Sequence, residues 1–255
     1  MSPELPRLLD YALALAREAG THTARHFGKP IEVETKSDLS PVTVADRETE
    51  ELCRRRIAGD WPDHGILGEE FGTVPDRGSG FQWVIDPIDG TKSFISGLPL
   101  YTVLLALLKD GKPILGIIHQ PILDETVWAG VGLGAYYNGS PTWLRQQADL
   151  SKAWLMCTDP THLLHEYPSA GLELFNSESI IRSWGDGYCY LLVASGRADI
   201  MNDPRMNLWD LACLKPIIEE AGGIFSDLEG NPGLGSSCLV ANPSLHPTVL
   251  RLFRK

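Results

Sequence analysis

The sequence predicts an α+β half followed by an α/β half, with a soft boundary near residue 140. Three observations point there. Apolar residues at three-and-four spacing open the chain, an Asp110-Gly111 turn joins two apolar runs in its middle, and helical and strand-like pieces alternate after Pro141.

Leu5, Leu8, Leu9, Ala12, Leu13, Ala16 and Ala19 fall on one helical face, which predicts an amphipathic helix over 5–27 that ends near Gly28 and Pro30. Residues 31–35 read as a strand. A loop over 38–43 then leads into a Glu- and Arg-rich helix over 43–57, with Leu52 and Ile57 among its few large apolar positions. Short strands follow at 66–70 and 81–86, separated by a Gly-, Pro- and Asp-containing loop over 72–80. Residues 101–108 and 114–119 form a β-hairpin about Asp110-Gly111, and 126–129 with 135–137 extend its sheet. Gly130, Gly132 and Gly134 loosely match a nucleotide fingerprint, but a turn, Tyr-Tyr-Asn-Gly-Ser-Pro, follows instead of the helix that fingerprint needs.

Past residue 141 the expected order is a piece at 153–157, a helix near 161–174, a piece at 179–182 and a helix over 188–195. A strand at 198–202 and a helix over 208–221 follow. Pro216 lacks a donor and should kink or break that last helix, and Gly222-Gly223 should end it. Strands at 224–227 and 237–241 flank a Gly/Pro loop before a final short helix. The 1–140 half carries most candidate metal ligands. The 141–255 half carries Asp210 and the residues expected to choose the substrate.

An apolar content of 43% over 255 residues supports a substantial core, either as one domain or two small ones. With 33 acids against 22 bases the net charge is −11, which disfavours a nucleic-acid backbone and suits cations or an amine-bearing ligand. Cys53, Cys157, Cys189, Cys213 and Cys238 are scattered singly, so reduced thiols and a cytoplasmic setting are expected. No run approaches the ~20 apolar residues of a membrane span, and the opening stretch lacks a signal peptide's apolar segment. Seven histidines contain no HExxH and no Cys-paired set, so no zinc site is expected. Trp61, Trp83, Trp128, Trp143 and Trp154 read as core or interface residues.

Chemistry concentrates in Trp83-Val-Ile-Asp86-Pro-Ile-Asp89-Gly-Thr91, where an apolar strand runs into two acids three apart. Pro87 fixes its own φ and Gly90 permits a positive one, so the chain can turn and aim Asp86, Asp89 and the Ile88 carbonyl at one spot. Glu69-Glu70, Asp46 and Asp210 also stand at element ends. Ordinary duties explain each patch alone: turn-making, a solvated pair, helix capping. Together they are the oxygen-rich inventory that hard divalent cations such as Mg²⁺ or Mn²⁺ need. A pair of cations ~3.5–4 Å apart would suit phosphoryl transfer.

Thr43-x-Ala-Asp46, Gly68-Glu69-Glu70, the Trp83–Thr91 motif, and Trp209-Asp210 followed by Glu219-Glu-Ala-Gly-Gly223 resemble the inositol monophosphatase superfamily of Mg²⁺-dependent, lithium-sensitive phosphatases. The resemblance covers nearly the whole chain and implies a layered α/β/α/β/α sandwich. It implies that Glu69, Asp86 and the Ile88 carbonyl hold a first metal and that Asp86, Asp89 and Asp210 hold a second, with Mg²⁺ at two or three per site. Thr91, hydrogen-bonded to Asp46, would with Glu69 orient and deprotonate the attacking water. Backbone amides of Gly90 and Thr91 would cradle the phosphate, and Glu70 would lend outer support or help hold a third metal. Relatives of this kind form homodimers.

Asp-Gly-Thr-Lys92-Ser93-Phe94 and Trp184-Gly-Asp186-Gly-Tyr-Cys-Tyr190 resemble the histidinol-phosphate phosphatase branch, except that Gly187 and Cys189 stand in each other's expected places. The expected activity is hydrolysis of L-histidinol phosphate in histidine biosynthesis, its cationic groups received by Asp186, Asp203 and Asp210. Lys92, Ser93, Arg205 and Asn207 are further candidate contacts. The alternatives are inositol monophosphate or another small phosphate ester and, in a different class, a non-catalytic metal-responsive binding protein.

Overall fold

The computed structural model describes residues 4–37 and 39–254. Helix α1 (Leu5–Ala24) opens the chain. A small hairpin, β1 (Val33–Thr35) and β2 (Pro41–Thr43), then delivers the chain into α2 (Val44–Asp60). The second strand of that hairpin lies in the stretch expected to be a loop, of which Asp38 falls outside the described residues. Next come β3 (Gly65–Gly68), β4 (Gly72–Val74), β5 (Phe81–Asp89) and the one-turn helix α3 (Thr91–Ile95). Strands β6 (Thr102–Lys109), β7 (Lys112–Gln120), β8 (Glu125–Gly130), β9 (Gly134–Tyr137) and β10 (Ser140–Pro141) complete a sheet of order β10-β9-β8-β7-β6-β5-β3-β4. It is antiparallel except where β3 runs parallel to β5. Strand β4 falls inside the stretch expected to be loop. Its three residues are all exposed, so it has no apolar pattern to announce it.

The second half contributes β11 (Trp154–Cys157), α4 (Pro160–Glu166), α5 (Pro168–Phe175), β12 (Ile180–Arg182), α6 (Asp186–Ala194) and β13 (Ile200–Asp203). After these come α7 (Leu208–Leu211), α8 (Leu214–Glu220), β14 (Ile224–Ser226), β15 (Cys238–Ala241) and α9 (His246–Phe253). Its sheet has the order β12-β11-β13-β15-β14, parallel on the β12-β11-β13 side and antiparallel beyond. Helix α1 ends three residues before the expected 27, α3 is not among the expected helices, and proline explains the two expected helices that are split. Pro168 disfavours the α conformation at Tyr167, so one expected helix becomes α4 and α5. Pro216 cannot donate to the Ala212 carbonyl and crowds it, so the helix expected over 208–221 breaks at Ala212–Cys213, one turn upstream of the proline.

Strand alternation sorts these pieces into layers. Val103, Leu105 and Leu107 of β6, with Trp83 and Ile85 of β5, pack against α1 and against Cys53 and Ile57 of α2. Leu104, Ala106 and Leu108 point the other way, against Leu191 of α6 and Leu214 and Ile217 of α8, in a core that also takes Met156, Met201 and Val240 of the second sheet. That sheet's far face, Leu155, Ile200 and Leu239, buries Leu163, Leu174 and Val249 of α4, α5 and α9. The order is therefore α/β/α/β/α. Leu105 is 1% exposed, and truncating a side chain so placed to Ala costs about 2–5 kcal/mol.

Leu52 is only partly buried, whereas Cys53 and Ile57 are buried on the inner face of α2. Trp83 is fully buried, with its indole N–H donating to His64 Nδ1 at 3.1 Å; Trp143, expected in a core or interface, is 66% exposed. All five cysteines are buried and free. No helix among the described residues is long and apolar enough to cross a membrane. The glycine loop between β8 and β9 already holds an anion of its own: the Glu220 carboxylate accepts the Gly132 and Gly134 amides at 2.7 and 2.8 Å.

Candidate active site

Strand β5 pairs with β6 in regular register up to Asp86 and again at Asp89, with an irregularity between. Pro87, which has no N–H to give a neighbouring strand, occupies that gap. The backbone folds on itself there, with the Ile88 amide donating to Asp86 Oδ1 at 3.1 Å. Gly90 takes φ +86° and caps α3, and the Thr91 hydroxyl donates to the Ile88 carbonyl at 3.1 Å. A Cβ at Gly90 would stand 2.9 Å from Asp186 Oδ2 besides straining the turn.

Other elements bring their acids to this corner. Asp46 occupies the third position of α2, where Oδ2 accepts the Thr43 amide at 2.8 Å and hydroxyl at 2.6 Å, while Oδ1 faces the Thr91 hydroxyl at 3.4 Å. Asp210 occupies the same position in α7 and accepts the Asn207 amide at 2.6 Å. Both acids therefore cap helices and also face the site, so the two readings of these residues are compatible. Lys36, Glu69, Asp86, Ile88, Asp89, Gly90, Thr91, Asn207, Trp209 and Asp210 line one cleft. Ligand oxygens of Asp86, Asp89 and Asp210 lie within 4.8 Å of one another.

An adjoining cleft shares Asp89 and Asp210 and is lined further by Thr158, His162, Asp186, Gly187, Tyr190, Asp203, Arg205 and Met206. Asp203 is buried and anchored at its floor: it accepts the Thr158 amide and hydroxyl at 2.9 and 3.0 Å and the Tyr190 hydroxyl at 3.0 Å. The Asp186 amide donates to Thr158 Oγ1 at 3.0 Å. Arg205 lies at the exposed rim, its guanidinium paired with Glu166 of α4. Lys92 and Ser93 line a third cleft with Gly90, Thr91 and Asp186. Every candidate named from the sequence thus lines one of three connected clefts except Asp46 and Glu70, which accept hydrogen bonds from Thr91 and Lys36 of the metal-site cleft.

So many acids in little space raise one another. Removal from water and then the charges of Glu69, Asp89 and Asp210 hold the Asp86 carboxyl well above its usual range. The same desolvation, with Asp186 and Asp210, does so for Asp89. Burial pushes Asp210 up to about 7 and raises Glu69 and Asp46. Buried like charges of this kind call for a cation, and hydrogen bonds supply one in Lys36, which donates to Glu69 at 2.7 Å and Glu70 at 2.6 Å. Burial alone would lower the Lys36 ammonium's pKa, but its bonds to the two glutamates outweigh that and hold it above its usual range. The donor set, carboxylates plus one carbonyl, fits a hard divalent cation.

Lys36, Thr158 and Glu50 are not among the sequence candidates, and Tyr190 enters there only as the end of the Trp184–Tyr190 motif. Glu50 is fully buried and accepts the Glu70 and Phe71 amides at 2.7 and 3.2 Å and Arg54 Nε at 2.7 Å, so it holds the turn that presents Glu69. Its signal was present: Asp46, Glu50, Cys53 and Ile57 share one helical face, and an acid in a buried stripe needs a purpose.

A profile of the inositol monophosphatase family matches residues 4–255. The chain belongs to that family. It is 41% identical to the histidinol-phosphatase of Chlorobaculum parvum over 249 residues, covering 96% of this chain and 94% of that one. It is 32% identical to the fructose-1,6-bisphosphatase/inositol-1-monophosphatase of Aquifex aeolicus, covering 98% and 97%. Its fold superposes on extragenic suppressor protein suhB from Bartonella henselae with a TM-score of 0.92 at 26% identity, over 98% of this chain and 99% of that one. The protein is a metal-dependent phosphoric monoester hydrolase of the inositol monophosphatase family. That sets aside the non-catalytic alternative.

Proposed function

We propose that this phosphatase hydrolyses L-histidinol phosphate to L-histidinol and phosphate. The observation that carries the reading is the acid-lined cleft beside the metal-site acids. Asp186 and Asp203 stand there, sharing a wall with Asp89 and Asp210, while the nearby Arg205 is engaged by Glu166. Such a cleft suits a phosphate ester whose other end carries an ammonium and an imidazole, whereas a polyol would call for neutral partners. Identity to a histidinol-phosphatase over nearly the whole chain supports the same choice.

Glu69, Asp86 and the Ile88 carbonyl would hold one Mg²⁺, and Asp86, Asp89 and Asp210 a second, with Asp86 shared; Glu70 would lend outer support or help hold a third, and Mn²⁺ suits the same ligands. When bound, these ions supply Lewis-acid polarisation of the phosphoryl oxygens and lower the pKa of water. Within the chain, Thr91 and Glu69 orient the attacking water, and its proton passes to the Thr91 hydroxyl as that hydroxyl gives its own to Asp46, which it faces at 3.4 Å. Gly90 and Thr91 amides bind phosphoryl oxygens, aided by the Lys92 charge and the Ser93 hydroxyl. Asp186, Asp203 and Asp210 receive the cationic end, and Asn207, whose backbone N–H donates a hydrogen bond to Asp210, fixes where that acid points.

Phosphate release from histidinol phosphate, inositol 1-phosphate, fructose 1,6-bisphosphate and adenosine 3′,5′-bisphosphate, with and without Mg²⁺, tests this. Histidinol phosphate should be turned over with the highest kcat/KM, and comparable slow turnover of all four overturns the assignment. The second reading, an inositol or sugar phosphatase, rests on the Aquifex aeolicus relative and wins if those esters turn over fastest. The first reading also carries lithium inhibition, a homodimer and a cytoplasmic setting, with no nucleic-acid or membrane partner. Sedimentation as a monomer would remove the dimer.

A further inference from the structure

We propose that His22, His26 and Glu48 form a separate site for a borderline first-row divalent cation such as Zn²⁺, on the opposite side of α2's first turns from Thr91. His22 stands in the last turn of α1, His26 lies two residues past its end in the turn that follows, and Glu48 reaches them from the second turn of α2. Glu48 Oε2 lies 3.8 Å from His22 Nε2 and 3.5 Å from His26 Nε2, and one ligand atom from each of the three residues falls within a common 4.8 Å. Zn²⁺ ligands at ~2.0–2.2 Å in a tetrahedron are about 3.3–3.6 Å apart, so the observed spacing needs little adjustment.

His22 is also oriented from behind. Its Nδ1 meets the hydroxyl of the fully buried Thr49 at 2.9 Å, so Nδ1–H can donate there and leave the Nε2 lone pair facing Glu48. This is the outer-shell support that metal-ligating imidazoles need. The ligands are two nitrogens and one oxygen, which favour Zn²⁺ over Mg²⁺, so this site and the all-oxygen centre should sort the two ions. A bound ion would fasten the end of α1 to α2, whose residue Asp46 lies two positions before Glu48 and bonds Thr43 and Thr91. HExxH and cysteine patterns miss such a site because its third ligand comes from another helix.

The test uses tag-free, full-length protein with ¹⁵N-labelled histidine, saturated with Mg²⁺ and titrated with Zn²⁺ alone. The ring nitrogens of His22 and His26 should shift together at micromolar Zn²⁺ with one equivalent bound. His26→Ala should weaken that binding at least about tenfold, as should Glu48→Gln at its exposed position. Mg²⁺-dependent turnover of the zinc-free His26→Ala protein should match wild type. Unmoved ring nitrogens overturn the proposal, and so does zinc affinity unchanged in both variants.

Discussion

The Lys36 ammonium donates to Glu69 Oε1 at 2.7 Å, placing a lysine of the β1–β2 hairpin on an acid of the metal-site cleft. A cation at Glu69 must share that carboxylate with Lys36 or displace it. Lys36→Gln should therefore lower the Mg²⁺ concentration needed for half-maximal activity. It should also lower the melting temperature in EDTA, because Glu69 and Glu70 lose their partner at about 1–3 kcal/mol per unsatisfied group. A higher Mg²⁺ requirement in the variant would show that Lys36 assists the ion instead.

Asp86 makes the opposite trade. Its carboxyl is held well above the usual range by desolvation and then by Glu69, Asp89 and Asp210, so in the metal-free protein its ionisation costs stability. For an acid with a raised folded pKa, that cost begins above the unfolded value near 4 and grows as pH rises towards the folded one. Asp86→Asn should thus melt higher than wild type in EDTA at pH 8, with the gap closing towards pH 4. It should show no Mg²⁺-induced rise in melting temperature, and its activity should fall about a hundredfold or more, beyond what removing an outer-shell partner costs. Wild-type Mg²⁺ dependence in the variant would remove Asp86 from the metal site.

Thr91 sits between the Ile88 carbonyl at 3.1 Å and Asp46 Oδ1 at 3.4 Å. If its hydroxyl relays a proton, Thr91→Ala should reduce kcat about 10²–10⁴-fold with little change in KM, and Thr91→Ser should recover most of the loss. A rise in KM at constant kcat would make it a binding contact only.

How far this was legible in the sequence depended on whether the signal was local. Asp86-Pro-Ile-Asp89-Gly-Thr91 could be read because one turn carries three of the site's polar groups, and β6 and β7 because buried strands write long apolar runs. Strand β1 falls within the expected strand at 31–35, but its partner β2 could not be read, since that segment opens on a proline and is only three residues long. Lys36 went unread with it. Glu50 and Thr158 act through partners 20 and 45 residues away, Glu70 and Asp203, and such separations leave no spacing to recognise. The breaks before Pro168 and Pro216 followed from local chemistry; only the second was anticipated, and it fell a turn earlier than the proline itself.

The exchanged Gly187 and Cys189 have a structural basis. The Gly187 amide donates to Asp89 Oδ2, and a Cβ at Gly187 would collide with the Thr102 hydroxyl and stand 2.5 Å from that same Asp89 oxygen. Cys189 is fully buried in the core. Gly187→Ala should therefore cost about 1–3 kcal/mol in denaturant unfolding and weaken Mg²⁺ binding by moving Asp89. A neutral outcome in both would mean that α6 shifts freely against β5.

Substrate choice should carry its own pH signature. Burial pushes Asp186 up to about 6 against the lowering charge of Lys92, and pushes Asp203 up to about 7 against the lowering hydrogen bonds of Thr158. Both are raised acids, so each is anionic only above its value and is neutralised as pH falls through it. The attraction for an ammonium is then present at pH 8 and lost between pH 7 and 6. KM for histidinol phosphate should rise across that window, while KM for inositol 1-phosphate, which brings no cation, should not follow. Asp210 serves both the metal set and the cationic end, and the substrate's imidazole titrates in the same window, so the ratio of the two kcat/KM values is compared between wild type and the Asp203→Asn variant. Asp203→Asn should flatten the upper part of that ratio's pH profile near 7 and leave the part near 6. A ratio independent of pH from 5.5 to 8 would show that Asp186 and Asp203 do not read the substrate's charge.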